Sequence, residues 1–305
     1  MKKIGILVPF FANDGYLTQL LDSLLSQTCP DWFALIIDDS GKTNGVGALV
    51  ARYGEPRFAI IKNETNLGLS RCWNLGLKSL SNYGEFSVLA VVHADDELTP
   101  SYVQSVLDAH ERYPDAVAVH TAVSVIGNSG RLRFSIEDIV KRIVRPGNGR
   151  TAMLSQGDKG LARVLQGNFI FCPTLSFKRS VVKFPFFLDD WKQVLDLELT
   201  SRLLLNGGKI VGLKKRLYRY RRHGANITVQ QGSTGLRFLE EITLYQNLRK
   251  QCREAGFVKS EKAASKMSMI RLHCWFMLAK SVLLRDRETT RNLRKVLSVW
   301  HETRQ

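Results

Sequence analysis

The tract Leu89-Ala90-Val91-Val92-His93-Ala94-Asp95-Asp96-Glu97 runs an apolar strand directly into adjacent carboxylates. In α/β enzymes, acids at the carboxyl edge of a parallel sheet hold a divalent cation and a diphosphate, so the tract points to phosphate-handling chemistry. Two like charges set straight after a buried strand repel each other unless a cation or a donor compensates them. Two further acidic clusters follow apolar runs: Asp38-Asp39 after Ile37, and Asp189-Asp190 with Asp196 beyond Phe186-Phe187. The strands of an open parallel sheet share one crevice at their carboxyl ends, where these acids can converge. Simpler readings stand beside this one: Asp38-Asp39-Ser40-Gly41 as a turn, and Asp189-Asp190 as a helix cap.

The elements that must position these groups read as α/β. Residues 4–8 form a continuous apolar strand stopped by Pro9, and Tyr16 to Ser26 carries Leu17, Leu20, Leu21, Leu24 and Leu25 at helical period. A strand at 33–37, a helix around 46–53, a strand at 58–62, a helix near 70–80 and a strand at 87–92 continue the alternation. Strands apolar on both faces imply a parallel sheet covered by helices. Beyond the acidic tract, Pro100 starts a helix through Tyr113, and 117–126 reads as a strand. Residues 131–165, with Pro146-Gly147-Asn148-Gly149, read only as a loop without assigned elements. A strand at 174–177, a helix over 194–205 and a strand at 209–213 complete the sheet region. From Gly235 the pattern is helical, with stripes at Leu236, Leu239, Ile242, Tyr245 and Leu248, then at Met267, Ile270, Cys274, Met277 and Leu278. These stripes pack on the core or lie on lipid.

Charge divides the chain: residues 1–200 hold 21 Lys/Arg against 21 Asp/Glu, and residues 201–305 hold 23 against 7. Such a split suggests a neutral catalytic part followed by a basic part facing a polyanion, which could be an anionic membrane, a lipid-linked phosphate or nucleic acid; a merely solubilising face is the other reading. The cysteines at 29, 72, 172, 252 and 274 show no paired spacing, which suits reduced thiols in a cytosol. No apolar run reaches the ~20 residues of a spanning helix. A soluble cytoplasmic protein, or one peripheral at the inner face of the membrane, is the expectation.

Several motifs in order resemble an inverting family 2 glycosyltransferase with the GT-A fold. They are Pro9-Phe10-Phe11 after the first strand, Leu20 through Gln27-Thr28, Ile36-Ile37-Asp38-Asp39-Ser40, Asn66-Leu67-Gly68, Arg71-Cys72-Trp73-Asn74-Leu75-Gly76 and His93-Ala94-Asp95-Asp96. The likeness covers residues 4–130 closely and 165–228 more loosely. It implies a mostly parallel nucleotide-binding sheet with flanking helices in residues 1–230, divided into a nucleotide-sugar half (1–130) and an acceptor half (131–230). A basic helical extension occupies 231–305.

The resemblance also implies roles. Asp38 or Asp39 contacts the nucleotide, Pro9 and Phe10 line the same pocket, Asn66 and Gly68 shape the next loop, and Arg71 meets the diphosphate or forms a surface ion pair. In the family's Asp-x-Asp motif, which binds Mn2+ or Mg2+ across the donor phosphates, His93 stands where the first Asp is usual. Asp95 then takes the main ligand role with Asp96 supporting, and His93 faces ribose or phosphate, or is satisfied in the core. Asp196-Leu197-Glu198-Leu199-Thr200-Ser201-Arg202 resembles a family helix, with Leu195 replacing the usual Glu. Asp196 is implied as the base that deprotonates the acceptor hydroxyl, with Asp190 as substitute; a capping aspartate is the other reading. In Tyr218-Arg219-Tyr220-Arg221-Arg222-His223-Gly224-Ala225-Asn226-Ile227, His223 is the implied metal or diphosphate ligand and Arg221 or Arg222 the phosphate contact; a basic surface loop is the other reading. The implied partners are a nucleotide-diphosphate sugar and a glycan or lipid-linked acceptor, in surface polysaccharide synthesis. A sugar-nucleotide nucleotidyltransferase and a non-catalytic basic adaptor on the same scaffold are the alternatives. The Gly-x-Gly-x-x-Gly of a dehydrogenase is missing after the first strand.

Overall fold

A computed structural model of the chain describes residues 3–12, 14–42, 45–133, 152–223 and 234–302. The expected Pro146–Gly149 loop and the segment Gly224–Ile227 lie outside the described residues. Four strands built almost wholly of apolar residues open the chain: β1 (Ile4–Phe10), β2 (Trp32–Asp38), β3 (Phe58–Lys62) and β4 (Val88–Val91). They pair in parallel in the order β3-β2-β1-β4. Helices α1 (Asp14–Leu25), α2 (Val46–Arg52) and α3 (Leu69–Ser79) connect them. Helix α1 buries Leu17, Leu20, Leu21 and Leu24, the spacing that keeps one face on the sheet. Helix α3 approaches β1 so closely that a Cβ on Gly76 would run into the side chain of Leu7.

The first strand corrects the sequence reading, because it continues through Pro9 to Phe10. Leu7 O accepts from Val92 N–H on the β4 side, and Phe10 O accepts from Asp39 N–H on the β2 side. The nitrogen of Pro9 therefore faces the β4 side beyond the last β1–β4 pair, Leu7 with Val91, where no ladder donor is needed.

Further along the chain come β5 (Glu97–Leu98), α4 (Tyr102–Arg112), β6 (Ala116–Ile126), β7 (Ala152–Gln156), β8 (Leu175–Lys178) and β9 (Lys209–Arg221). Among the described residues they complete a nine-stranded mixed sheet, ordered β3-β2-β1-β4-β8-β6-β9-β5 with β7 on β9. Strand β8 runs antiparallel to both β4 and β6, so only the β3-to-β4 half keeps the continuous parallel arrangement. Strand β9 extends eight residues past the expected end at Leu213. Its pairing with β6 jumps from Gly212 opposite His120 to Arg216 opposite Ala122. This bulge takes up Lys214 and Lys215, whose charges interrupt the apolar pattern that would have revealed the strand.

The chain forms two compact units, one comprising residues 1–155, 170–190 and 208–221 and the other residues 156–169, 191–207 and 222–305. The second unit contains α5 (Gly157–Gln166), α6 (Leu195–Leu205), α7 (Leu236–Glu254), α8 (Val258–Lys266), α9 (Ser268–Leu283) and α10 (Arg287–Glu302). Specific polar contacts bind α5 to the later helices. Asp158 accepts from the backbone N–H groups of Lys259 and Ser260 at the start of α8, and Tyr245 Oη donates to Leu165 O at 2.8 Å. The buried stripe of α7 also differs from the expected one. Phe238, Ile242, Leu244, Tyr245 and Leu248 are buried, whereas Leu236 and Leu239 are exposed, because apolar residues occur on several faces of this helix. No described helix is long and apolar enough to cross a membrane.

Candidate active site

Parallel pairing puts the carboxyl ends of β2, β1 and β4 on one edge of the sheet, and both early acidic clusters are there. At the end of β2, Asp38 is 1% exposed and its Oδ1 accepts from Ser40 N–H, the turn geometry the sequence allowed. Asp39 is the organiser of the neighbouring loop. Its Oδ1 accepts from Asn63 Nδ2 at 2.7 Å and Leu67 N–H at 2.9 Å, and its Oδ2 accepts from Asn66 Nδ2 at 3.1 Å. Burial, and then the Asp39 charge, push the nearby Cys72 thiol up, so it stays protonated. Gly68 starts α3 at φ +80, a conformation open to glycine and costly for a side chain.

Arg71 adopts the ion-pair alternative. Its Nε lies 2.7 Å from Asp189 Oδ2, and Ser70 Oγ donates to Asp189 Oδ1 at 2.6 Å. These two donors, the Ser70 hydroxyl first, hold the Asp189 carboxyl below the usual carboxylate range. Asp189 is thus a tether to α3 and not a helix cap. Asn74, on the same helix, adds three bonds: its Oδ1 accepts from the N–H groups of Phe186 and Phe187, and its Nδ2 donates to Phe187 O. Asp190 is exposed.

Beyond β4 the chain brings His93, Asp95 and Asp96 together, with one ligand atom from each within 4.8 Å of the others. The three differ in environment. Asp96 is fully buried, its Oδ2 accepting from Tyr218 Oη at 2.8 Å and its Oδ1 from Arg221 N–H at 2.7 Å. Burial, then repulsion from Asp95, raises the proton affinity of Asp96 well above that of an ordinary aspartate. The Tyr218 hydroxyl is raised as well, by burial and then by Asp96, so it remains a donor. It also accepts from His93 N–H at 3.2 Å, and His93 Nδ1 lies 4.0 Å from Asp96 Oδ2. Asp95 is half-buried, and Arg221 Nε donates to its carbonyl at 2.7 Å.

Arg221 overturns the expectation that it serves as a surface phosphate contact, since its side chain is 0% exposed. The guanidinium donates to Asp95 O, Gly127 O, Asn128 O, Gln19 Oε1 and Glu97 Oε1, and it stacks over the Tyr16 ring at 4.6 Å. Arg219 pairs with the other oxygen of Glu97. Residues 218–221 are therefore strand, not a basic surface loop, and they brace the acidic tract from beneath. The alternation Tyr218-Arg219-Tyr220-Arg221 marks the stretch as strand, but nothing in it tells a buried arginine from an exposed one.

The remaining expected residues belong to the second unit. Asp196 lies in the first turn of α6, half-buried, with its Oδ1 accepting from Leu197 N–H at 2.9 Å. Farther along the helix, Glu198 pairs with Arg202 at 2.6 Å. Arg222 and His223, both half-buried, follow β9 directly.

The sequence description Glycosyl transferase family 2 matches residues 5–183. The glycosyltransferase GlyA of Streptococcus pneumoniae is 30% identical over 136 residues, and the match covers 44% of this chain and 19% of that protein. This chain thus spans a small part of that relative. Among solved structures, residues 1–349 of TarS from S. aureus, in complex with UDP-GlcNAc, superpose with a TM-score of 0.58 at 17% identity, covering 99% of this chain and 92% of that one. The mannosyltransferase PcManGT from Pyrobaculum calidifontis, in complex with GDP-Man and Mn2+, gives a TM-score of 0.58 at 12% identity over 97% of this chain and 80% of its own. The parallel strands with acids at their carboxyl edge, the antiparallel β8 between β4 and β6, and the matched span agree: this chain is a glycosyltransferase of family 2 with the GT-A fold.

Proposed function

We propose that the chain transfers a sugar, with inversion, from a nucleoside diphosphate to a hydroxyl of a glycan or lipid-linked acceptor in surface polysaccharide synthesis, with Mn2+ or Mg2+ at Asp95. The observation that carries the metal reading is the His93, Asp95 and Asp96 grouping at the end of β4. The donor set fits a hard divalent cation. Asp95 offers a half-buried carboxylate, and Asp96, with both oxygens accepting hydrogen bonds, supports the site and is relieved of repulsion by a nearby positive charge. His93 adds a nitrogen, and His223 is a further candidate ligand. Such a cation would neutralise charge that develops on the departing diphosphate.

The side chains divide the remaining work. Asp38 and Asp39, with Pro9 and Phe10, form the end of the sheet where the nucleoside of the donor would lie. Asn66 and Gly68 fix the loop that follows, and Arg222 is the candidate phosphate contact, since Arg221 is committed to the protein interior. Asp196 takes the proton of the acceptor hydroxyl while that oxygen bonds the anomeric carbon and the bond to the diphosphate breaks on the opposite face. Asp190 is the substitute base.

Thermal unfolding with Mn2+ and a panel of nucleotide sugars tests the reading, because a ligand that prefers the folded state raises its stability. Asp95→Asn should abolish the Mn2+-dependent shift caused by the donor. Asp196→Asn should keep that shift and lose transfer. An undiminished Mn2+-dependent shift in the first variant would remove Asp95 as the metal ligand, and full turnover in the second would remove Asp196 as base.

A further inference from the structure

Helix α9 is apolar on two opposite sides. Ile270, Cys274, Leu278 and Ser281 are buried in the second unit, and on the other side Leu272, Trp275, Phe276 and Leu283 are 62%, 55%, 53% and 82% exposed. At 3.6 residues per turn these four exposed side chains fall within about 100° of arc, a continuous stripe and not a scatter. Val282, 54% exposed, widens it within the last turn, and Leu284, 66% exposed, follows the helix end. A globular protein does not maintain such a stripe in water without a partner to cover it.

The chemistry beside the stripe identifies that partner. Val282 borders a groove of about 740 Å3 between the end of α9 and α10, lined also by Arg285, Arg287, Arg291, Arg294 and Lys295 and, among the described residues, by no acid. The nearest acids in sequence are Asp286, whose carboxylate is engaged by Thr289, and Glu288. The buried side of α10 holds Leu293, Val296 and Trp300, which leaves its arginines outward. We infer that the exposed face of α9 and the basic groove beside it form one docking surface for an anionic lipid bilayer. The aromatic and leucine side chains enter the headgroup and acyl boundary, and the arginines meet lipid phosphates.

Two other occupants fit less well. In a symmetric pair of copies the same patch faces itself, which would set five cations against five. Nucleic acid would satisfy the groove but leave the leucine stripe in water. The surface is independent of the reading of the active site, and its test needs no turnover.

The intact chain is sedimented with vesicles of phosphatidylcholine alone and with vesicles containing phosphatidylglycerol. Binding to the anionic vesicles, weakened by salt, is the expected result. Trp275→Glu/Phe276→Glu and, separately, Arg291→Glu/Arg294→Glu should each weaken partitioning by about tenfold or more. All four residues are exposed, so both variants fold, which an unchanged circular dichroism spectrum verifies. Equal sedimentation of the variants and the parent overturns the inference, as does failure of the parent to bind. A dimer in sedimentation velocity that is lost in the Trp275→Glu/Phe276→Glu variant would instead assign the stripe to a second copy.

Discussion

Replacing Arg221 by methionine removes the central brace of the acidic tract while retaining most of its volume. The wild-type guanidinium donates to four neutral acceptors, Asp95 O, Gly127 O, Asn128 O and Gln19 Oε1, and to the carboxylate of Glu97 at 2.6 Å. Breaking a buried ion pair by deleting one partner costs about 3–5 kcal/mol, because the remaining charge and acceptors lose their donors. Glu97 keeps Arg219, at 2.9 Å, which places the expected loss near the lower end, about 3 kcal/mol. Urea unfolding followed by circular dichroism measures it, as a fall in midpoint at constant slope. The double variant Arg221→Met/Glu97→Gln should be more stable than the sum of the single losses by at least about 1 kcal/mol, since neutralising Glu97 no longer breaks that pair. A loss below about 1 kcal/mol for Arg221→Met, or strict additivity in the double variant, would refute the assignment of Arg221 as a brace.

Two other perturbations test other parts of the first unit. His110 is buried on α4 with its Nε2 3.0 Å from Ser176 Oγ, and that hydroxyl donates to Val119 O, so the imidazole is the neutral Nε2–H tautomer. Burial, reinforced by Lys178, lowers its pKa from 6.5 to about 4. The unfolded chain binds this proton more readily, so stability should fall as pH drops from about 6.5 towards 4 and level off below. The fall is worth about 3 kcal/mol by linkage, and urea titrations of the parent and His110→Gln across that window should differ in slope; equal slopes would reject the histidine as its source. Gly76→Ala should destabilise by about 1–3 kcal/mol despite a gain of about 1 kcal/mol in helix propensity, because the new methyl meets Leu7. A variant more stable than the parent in the same urea assay would show that α3 can shift away from β1.

How far the sequence disclosed this structure depended on whether burial left a regular pattern. Strands β1, β2 and β4 are almost wholly apolar and buried, so their existence and the acids that end β2 and follow β4 were legible. The carboxylates after β4 were legible for the same reason. The brace under them was not, because β9 loses its alternation at Lys214 and Lys215, where the bulge lifts it out of register, and a fully buried arginine looks in sequence like any surface cation. Strand β5, with two residues, is too short to leave a period. Arg71 with Asp189, 118 residues apart, and Asn74 with Phe187, 113 apart, tie 186–189 to α3 through contacts that local pattern cannot encode.

Strand β9 also imposes an order of events on biosynthesis. The bond from Arg221 to Gln19 joins positions 202 residues apart, and Tyr218 reaches back to Asp96 across 122. Contacts of such span are the slow ones, since the loop between them must close before they give anything in return. During synthesis the acidic tract emerges first and waits, two like charges without their donors, until Tyr218 and Arg221 have left the ribosome. Fragments that stop short of position 218 keep every carboxylate of the β4 tract but have none of the tyrosine and arginine that hold it in shape.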